Sequence, residues 1–185
     1  MIIGITGTNG SGKGTVVDYL VMQKGFSHFS ARMFIIEEIT RRGMHQNRES
    51  MREVANALRK EHGPSYLMER LYEMAKDEPK AVLGSVRTIG EAEFLKSKGA
   101  YILAVDGDRV IRHERIVARG TEADQVTYEE FCTQEDEEMA SPDPWDMNVF
   151  GVMQIADARI ENNGTVEELQ REVDAALAKL NKEAA

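Results

Sequence analysis

The sequence predicts an α/β fold in which helices flank a central, mainly parallel sheet of about five strands. Two observations support this class. Short apolar segments typical of buried strands alternate with segments of helical spacing, and glycines stand at many of the junctions. The first junction, residues 4–17, reads GITGTNGSGKGTVV and separates an apolar segment from an amphipathic one. Because no linker or repeat divides the chain, we expect one domain over residues 1–185.

Five short segments predict the strands. The first is apolar and β-branched and is followed by glycines, as expected of a strand buried in a parallel sheet. In chain order, the predicted strands are 1–6, 26–30, 81–86, 101–105 and 158–161.

Apolar spacing and end signals predict the helices. The pattern Ser/Thr-x-x-Glu, in which two side chains satisfy backbone N–H groups at a helix start, begins at Ser50, Thr88, Thr127 and Thr165. A basic residue followed by glycine marks several helix ends. The predicted helices are 13–24, 31–42, 50–62, a segment with Leu67, Leu71 and Met74, 88–98, 109–119, one from 127, 146–154, and a closing helix from 165.

Composition excludes some classes of function. The chain of 185 residues has a formal net charge of −9, so it lacks the general attraction that nucleic-acid binders use, and we expect no nucleic-acid partner. No apolar run is long enough for a signal peptide or a membrane span, and the single cysteine, Cys132, fits a reducing compartment. We therefore expect a cytoplasmic protein without a membrane partner. A small anionic substrate needs only a local cluster of arginines.

The stretch from Gly7 to Thr15 contains the spacing G-x-x-x-x-G-K of a phosphate-binding loop. In such a loop, glycines let backbone N–H groups turn toward an anion, and Lys13 reaches the outer phosphates. The hydroxyl residue that normally follows the lysine is replaced by Gly14, and Thr15 supplies a hydroxyl one position later. The predicted phosphate-binding residues are Gly7, Asn9, Gly10, Ser11, Gly12, Lys13, Gly14 and Thr15.

Three segments resemble the P-loop nucleoside monophosphate kinases. Gly12-Lys13-Gly14-Thr15 is similar to the loop of adenylate kinases, in which water and phosphate oxygens hold most of the metal. Arg115-Ile-Val-Ala-Arg119 resembles a pair in which the first arginine packs on the ATP adenine and the second contacts the phosphates. Residues 156–165 resemble a turn that borders the adenine in dephospho-coenzyme A kinases and monophosphate kinases. The resemblance implies a three-layer P-loop kinase fold, ATP and Mg²⁺ as cofactors, and adenine contacts from Arg115, Asn163 and Gly164.

A fourth resemblance concerns the acceptor. Gly84-Ser85-Val86-Arg87 is similar to the Asp-Gly-Ile-Arg segment of archaeal adenylate-kinase-related proteins. It implies that Arg87, at the carboxyl end of a central strand, grips the acceptor's phosphate. A surface ion pair is the alternative role for this arginine.

Other acceptor-side arginines lie in residues 31–78, the predicted acceptor-binding region. Arg32 follows the second strand, whereas archaeal relatives have their arginine at the position of Ile36. Residues 48, 52, 56 and 59 share a polar helix face, which is either an anion-binding stripe or ordinary solvated charge. The predicted acceptor-binding residues are Arg32, Arg52, Arg59 and Arg87. The residues expected to support transfer are Lys13, Arg87, Arg115 and Arg119.

Two departures from the family pattern stand out. The strand acid that would order the water shell of Mg²⁺ is missing at Gly84, so Asp106 is the candidate to act on the metal with Thr15, with a helix N-cap as its alternative role. The predicted lid, about residues 120–145, contains no Lys or Arg and carries the acidic run Glu135–Glu138. We expect that run to be a solvated helix face.

The predicted function is ATP-dependent phosphoryl transfer to a small phosphorylated metabolite, first of all a nucleoside or deoxynucleoside monophosphate. The expected partners are small nucleotide substrates, and the chain is a monomer or a homodimer. A kinase similar to dephospho-coenzyme A kinase is one alternative, but it would need a carboxylate near the loop, and Asp18 points away by helical spacing. A slow ATPase or a nucleotide-binding regulatory module is the other.

Overall fold

The computed structural model describes residues 1–120 and 126–183, in which helices and strands alternate. The strands are β1 (Ile2–Gly7), β2 (Ser27–Ser30), β3 (Ala81–Gly84), β4 (Tyr101–Asp106) and β5 (Ala158–Glu161). The helices are α1 (Lys13–Lys24), α2 (Arg32–Arg41), α3 (Arg48–His62), α4 (Tyr66–Ala75), α5 (Ile89–Ser97), α6 (Arg109–Arg119), α7 (Tyr128–Met139), α8 (Val149–Gln154) and α9 (Val166–Glu183). Residues 121–125, the first part of the predicted lid, lie outside the described residues.

The five strands form one parallel sheet in the order β2-β3-β1-β4-β5, which confirms the predicted fold class. β1 is central: Ile5 pairs with Gly84 of β3 on one side and with Leu103 of β4 on the other. Because all strands run the same way, the loops that follow β1, β3 and β4 leave the sheet at one edge. Ligands of parallel sheets bind at such an edge.

Helices cover both faces of the sheet, which gives the predicted three layers. On one face, Val16 and Leu20 of α1 and Val173 of α9 pack against strand residues such as Ile3. On the other face, helices α2 to α5 and α8 bury their apolar sides over Leu83 and its neighbours. Successive strand residues thus point to opposite cores, as expected of a parallel sheet covered on both sides.

Three of the four predicted capping boxes, those at Thr88, Thr127 and Thr165, form in the structure. The prediction for Ser50 is wrong. Asn47 is the N-cap of α3, its side chain accepts from the Ser50 backbone N–H, and the Ser50 hydroxyl accepts from the Asn47 N–H. α3 therefore begins at Arg48, two residues before the predicted start.

No helix among the described residues combines the length and the apolar character needed to span a membrane.

Two glycines with opposite surroundings provide a test of core packing. A Cβ at Gly4 in β1 would lie 2.7 Å from Leu95 Cδ1 and 2.9 Å from Val86 Cγ2, whereas a Cβ at Gly14 would meet nothing within 4 Å. We expect Gly4→Ala to lower the free energy of unfolding by about 1–3 kcal/mol, because the core must shift to admit a methyl group. Gly14→Ala should leave it unchanged or raise it by up to about 1 kcal/mol. Urea denaturation measures both, and equal losses would contradict this packing.

Candidate functional site

The loop from Gly7 to Thr15 joins the end of β1 to the start of α1. Gly10 and Gly12 have φ angles of +76° and +95°, which side-chain-bearing residues rarely adopt. A Cβ at Gly12 would also lie 2.3 Å from Asn162 Nδ2, so the loop is closely packed from outside. No side chain caps the start of α1. Its first N–H groups and its positive dipole end are therefore directed into the loop, where an anion would satisfy them.

Lys13 lies at the mouth of this loop. Its ammonium donates to the carbonyl oxygens of Gly7 at 2.9 Å and Thr8 at 2.5 Å. Burial lowers the pKa of Lys13 well below its ordinary value, and the nearby positive charge of Arg87 lowers the pKa further. The carboxylates of Glu138 and Asp106 act in the opposite direction. A bound anion would favour the charged lysine in the same way, so the residues of the loop fit a phosphate.

Ser11 supports the same conclusion. Its hydroxyl oxygen is buried without a hydrogen-bond partner among the described residues. Buried polar groups are normally satisfied, and an unsatisfied one calls for an explanation. A phosphate bound in the loop would supply an acceptor for this hydroxyl.

Three side chains from distant parts of the chain brace the loop. Arg112 of α6, which is buried, donates to the Asn9 carbonyl at 3.1 Å. Asn162, which follows β5, donates to the Ser11 carbonyl at 2.8 Å. The Thr8 hydroxyl donates to Asp106 at 2.6 Å. Arg112 was not among the predicted site residues, although its position four residues before buried Ile116 indicates that it faces inward.

Asp106 ends β4 beside the loop. Arg159 also donates to its carboxylate, at 3.1 Å. The alternative role of Asp106 as a helix N-cap is wrong, because Asp108 caps α6. The described residues contain no group of three or more His, Cys, Asp or Glu side chains suited to a metal ion. Mg²⁺ in phosphate sites usually keeps several waters and needs few protein ligands.

The structure brings together the three residues predicted to border an adenine. Arg115 donates to the Asn162 carbonyl at 2.7 Å and to the Gly164 carbonyl at 3.3 Å. Arg115 is therefore not on a freely solvated helix face. The Asn163 side chain accepts from the Asp108 N–H at 2.6 Å, and a recess of about 310 Å³ lies beside this turn.

A larger cleft of about 630 Å³ opens beside the loop, bordered by α2, α3 and the segment after β3. Asn9 of the loop lines it, so the cleft and the loop adjoin. All four predicted acceptor residues line it as well, together with two further arginines. These cleft arginines are Arg32, Arg48, Arg52, Arg59, Arg87 and Arg119.

Arg59 and Glu91 form a buried ion pair beneath this cleft. The Arg59 Nε donates to Glu91 Oε1 at 2.8 Å, and the two side chains are 3% and 0% exposed. The other Glu91 oxygen accepts from the backbone N–H of Arg87 at 2.7 Å. One carboxylate thus positions two predicted acceptor residues. The capping-box pattern indicates the first role of Glu91 in the sequence, and nothing local indicates this second one.

The polar face of α3, formed by residues 48, 52, 56 and 59, is already paired with carboxylates at most of its positions. Arg48 donates to Glu138 at 2.5 Å, and Arg52 donates to Glu137 at 2.7 Å. Asn56 donates to Asp146 at 2.7 Å.

The prediction that the acidic run is a solvated helix face is wrong for two of its members. Glu135 is 3% exposed and pairs with Arg112, and the Glu138 side chain is 13% exposed. The physical reason is that α7 packs its carboxylates against arginines of α3 and α6. Asp136 and Glu137 remain exposed.

A phosphate loop after the central strand of an all-parallel five-stranded sheet defines the P-loop kinase fold. Solved structures with this fold cover nearly the whole chain. TT1252 from Thermus thermophilus has a TM-score of 0.62 at 23% identity and covers 97% of each chain. A gluconokinase from Sinorhizobium meliloti 1021 has a TM-score of 0.62 at 17% identity and covers 99% of this chain and 94% of its own. A shikimate kinase from Aquifex aeolicus vf5 has a TM-score of 0.57 at 17% identity and covers 96% of each chain. At these identities the likeness concerns the fold.

The chain belongs to the AAA domain family, whose model matches residues 6–131, and to the UPF0200 family. The UPF0200 protein of Hyperthermus butylicus is 31% identical over 183 residues, covering 97% of this chain and 95% of the relative. That of Pyrococcus horikoshii is 30% identical over 188 residues and covers 97% of each chain.

Two capping-box glutamates provide a matched test of the buried pair. We expect Glu91→Gln to lower the free energy of unfolding by about 3–5 kcal/mol, because it leaves the buried Arg59 without a counter-charge. Glu130→Gln removes the equivalent residue of the α7 capping box, which is exposed, and should cost less than about 1 kcal/mol. Urea denaturation compares the two variants. Similar losses of unfolding free energy would show that the ion pair with Arg59 does not account for the effect of Glu91→Gln.

The lowered pKa of Lys13 predicts a pH dependence of anion binding. As pH rises, the free protein loses the Lys13 proton earlier than an ordinary lysine would, so binding an anion must take that proton up again. Affinity for inorganic tripolyphosphate should therefore already fall at pH values below the ordinary lysine pKa of about 10.4, by at most about tenfold per pH unit. Calorimetric titration measures it. In Lys13→Met the affinity should be low and its pH dependence flatter; an unchanged slope would assign the effect to another group.

Proposed function

We propose that the protein is an ATP-dependent kinase whose acceptor is a small phosphorylated molecule, first of all a nucleoside or deoxynucleoside monophosphate. The observation that carries this proposal is the adjacency of two anion sites: the phosphate loop and the arginine-lined cleft meet at Asn9. Phosphoryl transfer requires chiefly that two anions be held close together and in line while their charge is offset.

ATP, held at the loop, supplies the phosphoryl group. Backbone N–H groups of residues 7–15 and the Lys13 ammonium bind its phosphates. Arg115 and the Asn163–Gly164 turn border its adenine, beside the recess described above. Arg119, on the same helix and lining the cleft, offsets charge on the transferred group. Mg²⁺ is held mainly by phosphate oxygens and water, with Thr15 and Asp106 acting on that water shell.

The acceptor occupies the cleft within the region 31–78, and α7 belongs to the lid region of about 120–145. Arg32, Arg52, Arg59 and Arg87 bind and position its phosphate, with Arg48 as a fifth cation. Arginine suits this role because its planar guanidinium bonds phosphate oxygens bidentately.

Two features favour a phosphate over a hydroxyl as the nucleophile. A phosphate acceptor needs no general base, whereas a hydroxyl acceptor does. Among the described residues that line the cleft, Glu138 is the one carboxylate, and it is already paired with Arg48. Asp18 lies exposed on α1 and is not among the cleft residues.

Incubation with ATP, Mg²⁺ and a panel of nucleoside and deoxynucleoside monophosphates tests the proposal, with Lys13→Ala as the control. Diphosphate formation that depends on both acceptor and Lys13 is the expected result. If only the hydroxyl of dephospho-coenzyme A were phosphorylated, the proposal would be wrong and a kinase similar to dephospho-coenzyme A kinase would take its place. Phosphate release independent of any acceptor would favour a slow ATPase or a regulatory module.

Two arginine variants test the division of the site. Arg87→Ala should raise the acceptor KM on the order of tenfold or more and change the Kd of ATP little, because Arg87 faces the cleft. Arg115→Ala should weaken the binding of ATP and leave the acceptor KM nearly unchanged. Steady-state kinetics and ATP titrations measure both effects. If Arg87→Ala weakened the binding of ATP and of the acceptor equally, the assignment of Arg87 to the acceptor would be wrong.

A further inference from the structure

The carboxylates of α7 reach into the same cationic region that the proposed substrates need. Glu138 contacts Arg48 and Arg87, Glu137 contacts Arg52, and Glu135 contacts Arg109 and Arg112. These arginines come from α3, α6 and the segment after β3. The acidic run of α7 therefore links the acceptor side and the nucleotide side of the site.

Glu138 is the member of this run at the centre of the site. One of its oxygens accepts from two nitrogens of Arg48, Nε at 3.1 Å and Nη2 at 2.5 Å. Its other oxygen lies 3.7 Å from Arg87 Nη1. Its negative charge also partly offsets the lowering of the Lys13 pKa by burial and by Arg87, so the carboxylate acts on the lysine of the phosphate loop. An anion that interacts with these three cations stands where the loop and the cleft meet.

Arg87 is incompletely satisfied by this arrangement. Its Nη1 atom is buried and has no hydrogen-bond partner among the described residues, because 3.7 Å to Glu138 exceeds hydrogen-bond distance. A buried donor without an acceptor is costly. A phosphate group, with more oxygens and more charge than a carboxylate, can satisfy Arg48 and Arg87 together.

We propose that the Glu138 carboxylate holds the place of the acceptor's phosphate and that α7 is a latch, which an acceptor opens by displacing Glu138 from Arg48 and Arg87. The inference rests on the proposed function in one respect, that the cleft is the acceptor site. It adds a selection rule: the acceptor must carry a dianionic group, since a single carboxylate offers the arginines no more than Glu138 already does.

Three variants separate a latch from a merely structural contact. Glu138→Gln removes the competing charge, and Arg48→Gln removes its partner. Glu129→Gln is the matched control, because Glu129 is an exposed glutamate on the first turn of the same helix. A latch predicts that the first two variants loosen α7 alike but change phosphate binding in opposite directions.

The first measurement is hydrogen–deuterium exchange of α7 amides in the full chain, with inorganic phosphate against sodium chloride at equal ionic strength. In the unmodified chain and in Glu129→Gln, phosphate should speed exchange at least about threefold. In Glu138→Gln and Arg48→Gln, exchange should be fast without phosphate.

The second measurement is equilibrium dialysis of radiolabelled inorganic phosphate, with each variant in a Lys13→Ala background that disables the loop. Glu138→Gln should bind phosphate about tenfold more tightly, and Arg48→Gln about tenfold more weakly. The latch is overturned if phosphate leaves α7 exchange unchanged, or if both variants shift phosphate affinity in the same direction. Neither measurement requires phosphoryl transfer, so a failure of the proposed kinase activity would appear separately in the monophosphate panel.

Discussion

Arg59 and Arg112 are buried and Lys13 and Arg87 are partly buried at the carboxyl edge of the sheet, where carboxylates of the protein offset their charge. Leaving a buried charge unpaired costs about 3–5 kcal/mol, a large share of a domain's stability of about 5–15 kcal/mol. The acidic residues of α5 and α7, together with the strand carboxylate of Asp106, supply those counter-charges. An excess of acidic residues over the whole chain and a cationic site are therefore compatible, because the acids that neutralise the site are part of it.

The fold and the loop could be predicted from the sequence because their determinants are local. The apolar strand before Gly7, the glycines of the loop and the helical spacing after Lys13 all lie within one short stretch. Capping boxes likewise depend on residues three positions apart, and the one error, at Ser50, displaced a helix start by two residues. Predictions of this kind need no knowledge of which distant residues pack against the segment in the folded chain.

The electrostatic partners could not be predicted in this way, because ion pairs that join α3 to α7 or α3 to α5 carry no local signature. Glu91 matches a capping box whether or not an arginine lies above it. Glu138 sits in a run of four acids that is typical of a solvated helix, and only the packing of α7 shows which of them face inward. The role of Arg112 and the partner of Arg48 were missed for the same reason: the partners of these two arginines are 23 and 90 residues away along the chain.

The bond from Asn162 to the Ser11 carbonyl spans 151 residues of sequence. It ties the phosphate loop to a turn that is synthesised only after the five strands of the sheet. Long-range contacts form late, because their loop-closure entropy must first be overcome. The shape of the loop is consequently completed only when β5 has docked on β4. A chain ending before residue 162 would carry the whole phosphate-loop sequence and still lack the brace that fixes it, so the motif alone does not secure the shape of the loop.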